Sequence, residues 1–144
     1  MNVADLIVSR TEVFSVTDAA TVHDTARYLR ERQLRAVGVL DAQGKLLGVV
    51  SQSDISDKVA AENKCPAWMR VPEIMSTRLV TVAPETSLDE CLHLMDRHGI
   101  FHLAVVDPQG GYRGLISVQD LLKVIASDQR ARADMLEAYI FPKR

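Results

Sequence analysis

The sequence predicts a mixed α+β fold made of two copies of one small unit, packed sheet to sheet with approximate two-fold symmetry. Shifting the chain against itself by 66 residues aligns residues 13–54 with residues 79–120 without a gap, and VLDAQG at 39–44 falls on VVDPQG at 105–110. Each copy has the pattern strand, helix, strand, strand, helix. A unit of about 60 residues buries too little apolar surface to be stable alone, so we expect the two sheets to pack together.

The first strand and helix of each copy follow from local signals. LVTV at 79–82 favours a strand, and Ser87 followed by Glu90 predicts a helix that begins with a capping box. Gly99 is suited to end that helix. Its predicted buried face consists of Leu88, Cys91, Leu92 and Met95. In the first copy the related strand is predicted at 13–16, and Thr21 is expected to cap the related helix.

Both copies then predict a β-hairpin that leads into a second helix. The turns DAQG and DPQGG carry the residue types that favour tight turns. The second helices are expected to begin near Ser53 and Ser117. The predicted hairpin strands are residues 36–40 with 46–51, and residues 101–106 with 112–117.

The repeat also predicts the domain boundaries. We expect the first motif at 1–63, a linker at 64–70, the second motif at 71–126 and a helical tail at 127–144. Before the first strand the copies match with an offset of 68 rather than 66, which pairs Arg10 with Arg78. The first copy therefore carries two extra residues, near Thr11 and Glu12.

Two regions outside the repeat carry apolar side chains. In the linker, Trp68 is expected to anchor the chain against the rest of the molecule. The tail is helix-prone as far as Pro142 and has one apolar stripe. We expect this helix to pack on its own module, to form a dimer contact, or to do both. The stripe consists of Met135, Leu136, Tyr139 and Ile140.

The composition excludes several classes of protein. The 144 residues are 47% hydrophobic, and 17 Lys and Arg against 19 Asp and Glu do not favour nonspecific binding to nucleic acid. No apolar run approaches the roughly 18 residues of a membrane span. The N-terminus lacks the basic region of a signal peptide. Cys65 and Cys91 form no disulfide framework, so we expect a cytoplasmic protein with reduced thiols.

One strand–helix junction in the first copy carries chemistry suited to a nucleotide. In GVVSQSD at 48–54 the start of the helix favours an anion, and the hydroxyls of Ser51 and Ser53 can donate to phosphate oxygens. Asp54 can accept hydrogen bonds from two adjacent ribose hydroxyls. Gly48 leaves room for close approach of a ligand.

The second copy repeats this junction with one change. In GLISVQD at 114–120, Ser117 and Asp120 are retained, but Gln119 replaces the second hydroxyl residue. The competence of this second junction is therefore open. Serine and aspartate are also good helix-capping residues, so capping alone is an alternative explanation for both junctions.

The repeated pattern resembles the CBS domain family, named after cystathionine β-synthase, and in particular a tandem CBS pair or Bateman module. The resemblance is carried by three segments that together span most of both copies. They are VLDAQGKLLGVVSQSDI at 39–55, VTVAPETSLDECLHLMDRHGI at 80–100 and VVDPQGGYRGLISVQDLL at 105–122.

The resemblance implies a ligand and further site residues. Gly, two apolar residues, Ser/Thr, any residue, Ser/Thr, Asp is the adenosine-nucleotide signature of the family, which the first copy matches in full. The implied ligands are AMP, ADP, ATP or S-adenosylmethionine. In such modules a basic residue at the start of the hairpin strand meets phosphate, and Arg35 and His102 occupy those neighbourhoods here. The adenine slot is lined at positions that correspond here to Ile7, Phe14, Met75 and Val80. Phe14 either stacks on a purine or blocks the slot.

Other chemistry is not favoured. His93 and His98 lie five residues apart on one helix and point in different directions, and His102 lies beyond the helix, which makes a poor metal site. No nucleophile elbow, phosphate-binding loop or dinucleotide-binding glycine loop is present. We expect no metal, no required cofactor and no catalysis.

The sequence thus supports two hypotheses of different class. The first is a stand-alone regulatory module, expected to be a homodimer, that binds an adenosine-type nucleotide between its two motifs and signals to an unknown effector protein. The alternative is an interaction or dimerisation scaffold without a small-molecule ligand.

Overall fold

A computed structural model describes residues 1–127 of the chain; the predicted helical tail lies outside the described residues beyond position 127. In the first copy the helices are α1 (Val3–Ile7), α2 (Val22–Arg32) and α3 (Gln52–Ile55), and the strands are β1 (Ser15–Thr17), β2 (Ala36–Leu40) and β3 (Leu46–Ser51). A π-helical turn, Ser56–Ala60, continues α3, and two 3₁₀ turns follow at Pro66–Trp68 and Val71–Glu73. The second copy contains β4 (Thr81–Val82), α4 (Leu88–His98), β5 (His102–Val106) and β6 (Tyr112–Ser117). Residues 118–127 are helical.

The two copies form two small sheets of the same topology. In the first, β1 pairs parallel with β2, and β2 pairs antiparallel with β3; in the second, β4, β5 and β6 do the same. Val16 pairs with Val39, and Val82 pairs with Val105, which are the same positions 66 residues later. The sequence repeat is therefore also a repeat of strand register, and the predicted fold class is confirmed.

The hairpin turns are closed by one aspartate each. Asp41 Oδ1 accepts hydrogen bonds from the backbone N–H groups of Gln43 and Lys45, both at 2.9 Å. Asp107 Oδ1 does the same for Gln109 and Gly111, at 3.1 and 2.7 Å. Such side-chain bonds to the backbone two and four residues later explain why the turns are so similar.

The long helices are capped as predicted, with one difference in detail. Thr21 accepts from the N–H of Asp24 at 3.0 Å, and Ser87 accepts from that of Glu90 at 3.2 Å. The Glu90 carboxylate does not return a bond to Ser87, so the predicted capping box is only half formed. Gly99 ends α4 in the left-handed conformation, with φ 62°. The strands β1 and β4 are shorter than the predicted 13–16 and 79–82.

The beginning of each copy packs on the core of the other copy. The second core contains Val3, which is fully buried among side chains of α4, β5 and β6. The backbone N–H of Val3 donates to the Thr86 carbonyl at 2.9 Å, and that of Ala4 donates to the Pro84 carbonyl at 2.8 Å. The second core consists of Val3, Val82, Leu88, Cys91, Met95, Leu103, Val105, Ile116 and Leu121.

The first core contains the reciprocal contact. We call the packing of each copy's first segment on the core of the other copy the exchange. Val71 and Ile74, from the start of the second copy, are buried in the first core. The N–H of Val71 donates to the Ala20 carbonyl, and that of Val22 donates to the Met69 carbonyl, both at 2.9 Å. The first core consists of Val16, Val22, Leu29, Val37, Val39, Val50, Val59, Val71 and Ile74.

The exchange also accounts for a prediction that is wrong. Trp68 is 87% exposed and does not anchor the linker. Val71 and its backbone bond to Ala20 hold this part of the chain instead, while Trp68 lies on the short turn before them.

In the described part of the chain, no helix has the length and apolar character needed to cross a bilayer.

The sheets meet where β2 lies beside β6. The ring of Tyr112 lies over Gly38, and a Cβ added at Gly38 would be 2.6 Å from Tyr112 Cζ. That distance is shorter than any normal contact, so residue 38 must lack a side chain for the sheets to approach this closely. Burial raises the pKa of Tyr112, and its hydroxyl has no hydrogen-bond partner among residues 1–127.

We predict that Gly38→Ala lowers the free energy of unfolding by about 1–3 kcal/mol, because the added methyl group overlaps the Tyr112 ring. Combining it with Tyr112→Leu should recover part of the loss. That pair of residue types already occurs at the related positions, Ala104 and Leu46. Denaturant unfolding of both single variants and the double variant measures the coupling between the positions. Strictly additive effects would contradict the contact.

Candidate ligand-binding site

A cleft of about 1170 Å³ lies between the two halves of the molecule. The exchange determines which segments of the chain form the walls of this cleft. Residues before position 9 pack on the second core whereas β1 belongs to the first sheet, so residues 9–14 must cross between the halves. Residues 76–80 cross in the opposite direction. We call these two stretches the crossing segments. Both line the cleft, together with the strand–helix junctions at 51–54 and 117–120.

The first junction, which we call the Asp54 turn (residues 51–54), is a complete capping box. Asp54 Oδ2 accepts from the backbone N–H of Ser51 at 2.9 Å, and Ser51 Oγ accepts from that of Asp54 at 3.2 Å. The hydroxyls of Ser51 and Ser53 are 2.9 Å apart. These bonds fix two hydroxyls and one carboxylate at the cleft wall. They also show that helix capping alone accounts for the local geometry.

The second junction, the Asp120 turn (residues 117–120), repeats this geometry. Asp120 Oδ2 accepts from the N–H of Ser117 at 2.9 Å, and Ser117 Oγ accepts from that of Asp120 at 3.1 Å. Here, however, an arginine from a crossing segment is also bound. Arg10 Nη2 lies 3.1 Å from Asp120 Oδ2, and Arg10 Nη1 donates to the Leu115 carbonyl.

The cation bound to Asp54 comes from a different place. Lys58, four residues later, lies 3.0 Å from Asp54 Oδ1 and donates to the Ile74 carbonyl at 2.9 Å. Lys58 is not part of the cleft wall, whereas Arg10 is. The two turns are thus alike in backbone and capping, but only the Asp120 turn has a cation placed on it from the cleft side.

The two glycines that precede these turns are approached by the chain itself. A Cβ at Gly48 would lie 2.7 Å from Met75 Sδ and 2.8 Å from the Ser76 carbonyl oxygen. Val49 and Ser76 exchange backbone hydrogen bonds of 2.8 and 3.0 Å. The expectation that Gly48 leaves room for a ligand is therefore wrong, because the start of the second copy fills that room.

His102 and Arg35 line the cleft beside the two turns: His102 pairs with Ser117, and the Arg35 carbonyl accepts from the N–H of Gln52 at 2.9 Å. Burial lowers the pKa of His102 below its usual 6.5; the nearby Asp120 carboxylate acts in the opposite direction, and Arg35 adds to the lowering. His102 is therefore mainly neutral at neutral pH, which leaves Arg35 as the positive charge at this point of the cleft wall.

Comparison with known proteins identifies the repeat. A profile of the CBS domain matches residues 3–61 and 71–127, which is most of the chain. The chain belongs to the CBS-domain family. An uncharacterized protein of Methanopyrus kandleri is 28% identical over 117 residues; the match covers 81% of this chain but 60% of that protein.

Solved structures of CBS-domain proteins have the same fold. A protein with CBS domains from Burkholderia ambifaria is 32% identical, with a TM-score of 0.82, and the match covers 90% of this chain and 96% of that one. The CBS domain pair of protein MJ0100, in complex with 5′-methylthioadenosine and S-adenosyl-L-methionine, has a TM-score of 0.76. It is 22% identical, over 89% of this chain and 98% of that one, which shows the shared fold.

The structure brings most of the sequence-predicted site residues to one cleft between the CBS motifs. Ile7 and Met75 lie elsewhere: Ile7 packs on the second core, and Met75 packs on the first core over Gly48. Phe14 lines the cleft and packs edge-on against Tyr28, with ring centroids 6.5 Å apart. The predicted residues in the cleft wall are Phe14, Arg35, Ser51, Ser53, Asp54, Val80, His102, Ser117 and Asp120.

Several basic residues of the wall are missing from the sequence prediction. Arg10 and Arg78 lie on the two crossing segments, and Arg113 and Lys123 come from the second CBS motif. The repeat did carry a signal, because Arg10 and Arg78 match each other at the offset of 68. What the sequence does not reveal is the exchange, which carries both arginines to the cleft.

Neither metal nor disulfide chemistry is indicated in residues 1–127. No group of three or more His, Cys, Asp and Glu side chains in this part of the chain is arranged to hold a metal ion. Cys91 is buried, Cys65 is exposed, and the two are unpaired.

We predict that the stability of the fold depends on pH because of the protonation of His102. Its pKa is lower in the folded chain, so the unfolded chain binds more protons as the pH falls below 6.5, and the free energy of unfolding decreases. His102→Gln should reduce the slope of melting temperature against pH between about pH 7 and about pH 5. The exposed His98 provides the control, and His98→Gln should keep the slope. Equal slopes in all three proteins would contradict this prediction.

Proposed function

We propose that this CBS pair is a regulatory module that binds an adenosine nucleotide in the cleft between its motifs and transmits the binding to a partner protein. The observation that supports this most strongly is the convergence of two Ser-x-x-Asp turns on one cleft large enough for a nucleotide. Hydroxyl donors, carboxylate acceptors and basic side chains are the groups needed to bind phosphate and ribose.

The charge of the cleft favours ligands that carry phosphate. Five basic side chains line it, against three carboxylates, although the whole chain has a net charge of −2. An excess of positive charge in a cleft attracts anions and is less suited to a sulfonium cation. Within the predicted set of ligands, AMP, ADP and ATP therefore fit better than S-adenosylmethionine. The basic residues are Arg10, Arg35, Arg78, Arg113 and Lys123, and the acidic ones are Glu12, Asp54 and Asp120.

The Asp54 turn is the proposed contact for ribose and phosphate. Ser51 and Ser53 have hydroxyls 2.9 Å apart that can donate to neighbouring phosphate oxygens. Asp54 then accepts from the ribose hydroxyls. The complex of MJ0100 with 5′-methylthioadenosine and S-adenosyl-L-methionine supports an adenosine compound as the ligand class, since that CBS pair has the same fold.

The proposed signal depends on the position of the cleft. A ligand that contacts both CBS motifs stabilises the relative orientation of the motifs that it fits best. It can shift the motifs only as far as its affinities for the alternative orientations differ. We propose no catalytic step, no metal and no required cofactor. The output is a changed surface that a partner protein, or a second copy in a homodimer, recognises in the cytoplasm.

A protein-interaction scaffold without a ligand is the second candidate. The capping boxes favour it, because they already use Ser51, Asp54, Ser117 and Asp120 to begin two helices. Under this hypothesis the cleft stays empty, and the molecule acts through its surface alone.

Asp54→Asn separates the two candidates. Isothermal titration with AMP, ADP and ATP, at concentrations up to the millimolar range, should show saturable binding to the wild-type chain. The variant should bind about tenfold more weakly, because charge-assisted hydrogen bonds to ribose are lost while the cap acceptor remains.

A matched control distinguishes the site from the cap. Asp5 holds the same position in the capping box of α1, where it accepts from the N–H of Asn2 at 2.9 Å, but it does not line the cleft. Asp5→Asn should leave the nucleotide affinity unchanged. No binding by the wild-type chain to any of the three nucleotides would favour the scaffold instead.

A further inference from the structure

We infer that Arg10 closes the Asp120 turn to nucleotides, so that the chain binds one nucleotide, at the Asp54 turn, instead of two. The inference rests on the proposed function and names the residue that determines its stoichiometry. It starts from the difference between two turns that the repeat would otherwise make equivalent.

The guanidinium of Arg10 occupies the place where a second ribose would bind. It lies 3.1 Å from the Asp120 carboxylate and donates to the Leu115 carbonyl. A Cβ on Gly114 would be 3.5 Å from Arg10 Nη1, so the same guanidinium covers the open space beside that glycine. One nitrogen of the guanidinium thus holds Asp120 Oδ2, an oxygen that a ribose diol would need, and the other holds the Leu115 carbonyl.

The Asp54 turn lacks such a cover for two reasons. First, Lys58 already neutralises Asp54 from the same helix and lies outside the cleft wall. The residue related to Lys58 is Val124, so Asp120 has no equivalent lysine. Second, none of the ion pairs among residues 1–127 includes Arg78, the counterpart of Arg10, and Asp54 is paired with Lys58 instead.

The backbone at the two sheet edges shows the same difference. The Val49 carbonyl accepts from the N–H of Ser76 at 2.8 Å, which ties the second crossing segment to β3. Leu115 is the residue related to Val49, and its carbonyl accepts from the Arg10 side chain. Between Arg10 and β1 the first crossing segment carries two residues, near Thr11 and Glu12, that the second segment lacks between Arg78 and β4. It therefore has the extra length to bring a side chain to β6 where the second segment brings its backbone.

Arg10 can be displaced, but only at a loss of affinity. Both side chains of the pair are 33% exposed, so the ion pair lies at the surface of the cleft and is not locked in the core. A nucleotide at the Asp120 turn would have to displace Arg10 from the cleft wall. At the Asp54 turn the carboxylate is only 16% exposed and its Oδ1 is paired with Lys58, but that lysine lies outside the cleft wall, so no side chain has to leave the cleft. We expect at least about a tenfold difference in affinity between the two turns from this displacement.

Titration calorimetry with AMP tests the inference through the stoichiometry. The wild-type chain should bind one AMP per chain, and Arg10→Ala should bind two. Arg10→Ala combined with Asp54→Asn should retain tight binding of one AMP, at the Asp120 turn. Arg10→Gln, which keeps a hydrogen-bond donor for the Leu115 carbonyl, provides a second variant in case Arg10→Ala is unstable, and it should also bind two.

Arg78→Ala is the matched control, since it removes the related arginine from the other crossing segment. Its stoichiometry should stay at one, whatever its affinity. Two AMP per wild-type chain, or one per chain in both Arg10 variants, overturns the inference and leaves the proposed function intact. Loss of all binding in the Arg10 variants also overturns it, because Arg10 would then be a ligand contact. Absence of binding in the wild-type chain and in every variant overturns the proposed function itself, and the inference with it.

Discussion

The exchange of the first segments between the two CBS motifs is the constraint on which the rest of this structure depends. Val3 completes the second core, and Val71 completes the first, so neither core is closed by its own copy. Backbone hydrogen bonds at Thr86 and Ala20 fix both contacts. Because the chain must return from each exchanged segment to its own sheet, it crosses between the motifs twice. Those crossings form the walls of the cleft and carry Arg10 and Arg78 into it.

Local features of this fold were predictable from the sequence because their causes are local. The turn aspartates, the caps at Thr21 and Ser87 and the end of α4 at Gly99 depend on side chains within a few residues. The family resemblance added the pairing of the motifs, and the profile match agrees with it. The Asp54 and Asp120 turns were found in the same way, as short motifs at strand–helix junctions.

The remaining features depend on contacts between distant parts of the chain. Gly48 is a small residue within a repeated motif, yet the side chain and backbone that approach it come from Met75 and Ser76. Trp68 is the kind of residue that usually anchors a linker, but a valine three residues later does so. The role of Arg10 requires the exchange, the two-residue insertion and the difference between Lys58 and Val124 together. No periodicity or spacing in the sequence contains that combination.

The exchange also has a consequence for the order in which the molecule can be completed during synthesis. Residues 3–7 are made well before β4, α4 and β5, against which Val3 is buried. The first core likewise lacks Val71 and Ile74 until the linker and the start of the second motif have left the ribosome. A chain with only its first motif synthesised therefore exposes apolar surface at both places. Neither motif can reach its final packing as an independent cotranslational unit, and the two must become stable almost together.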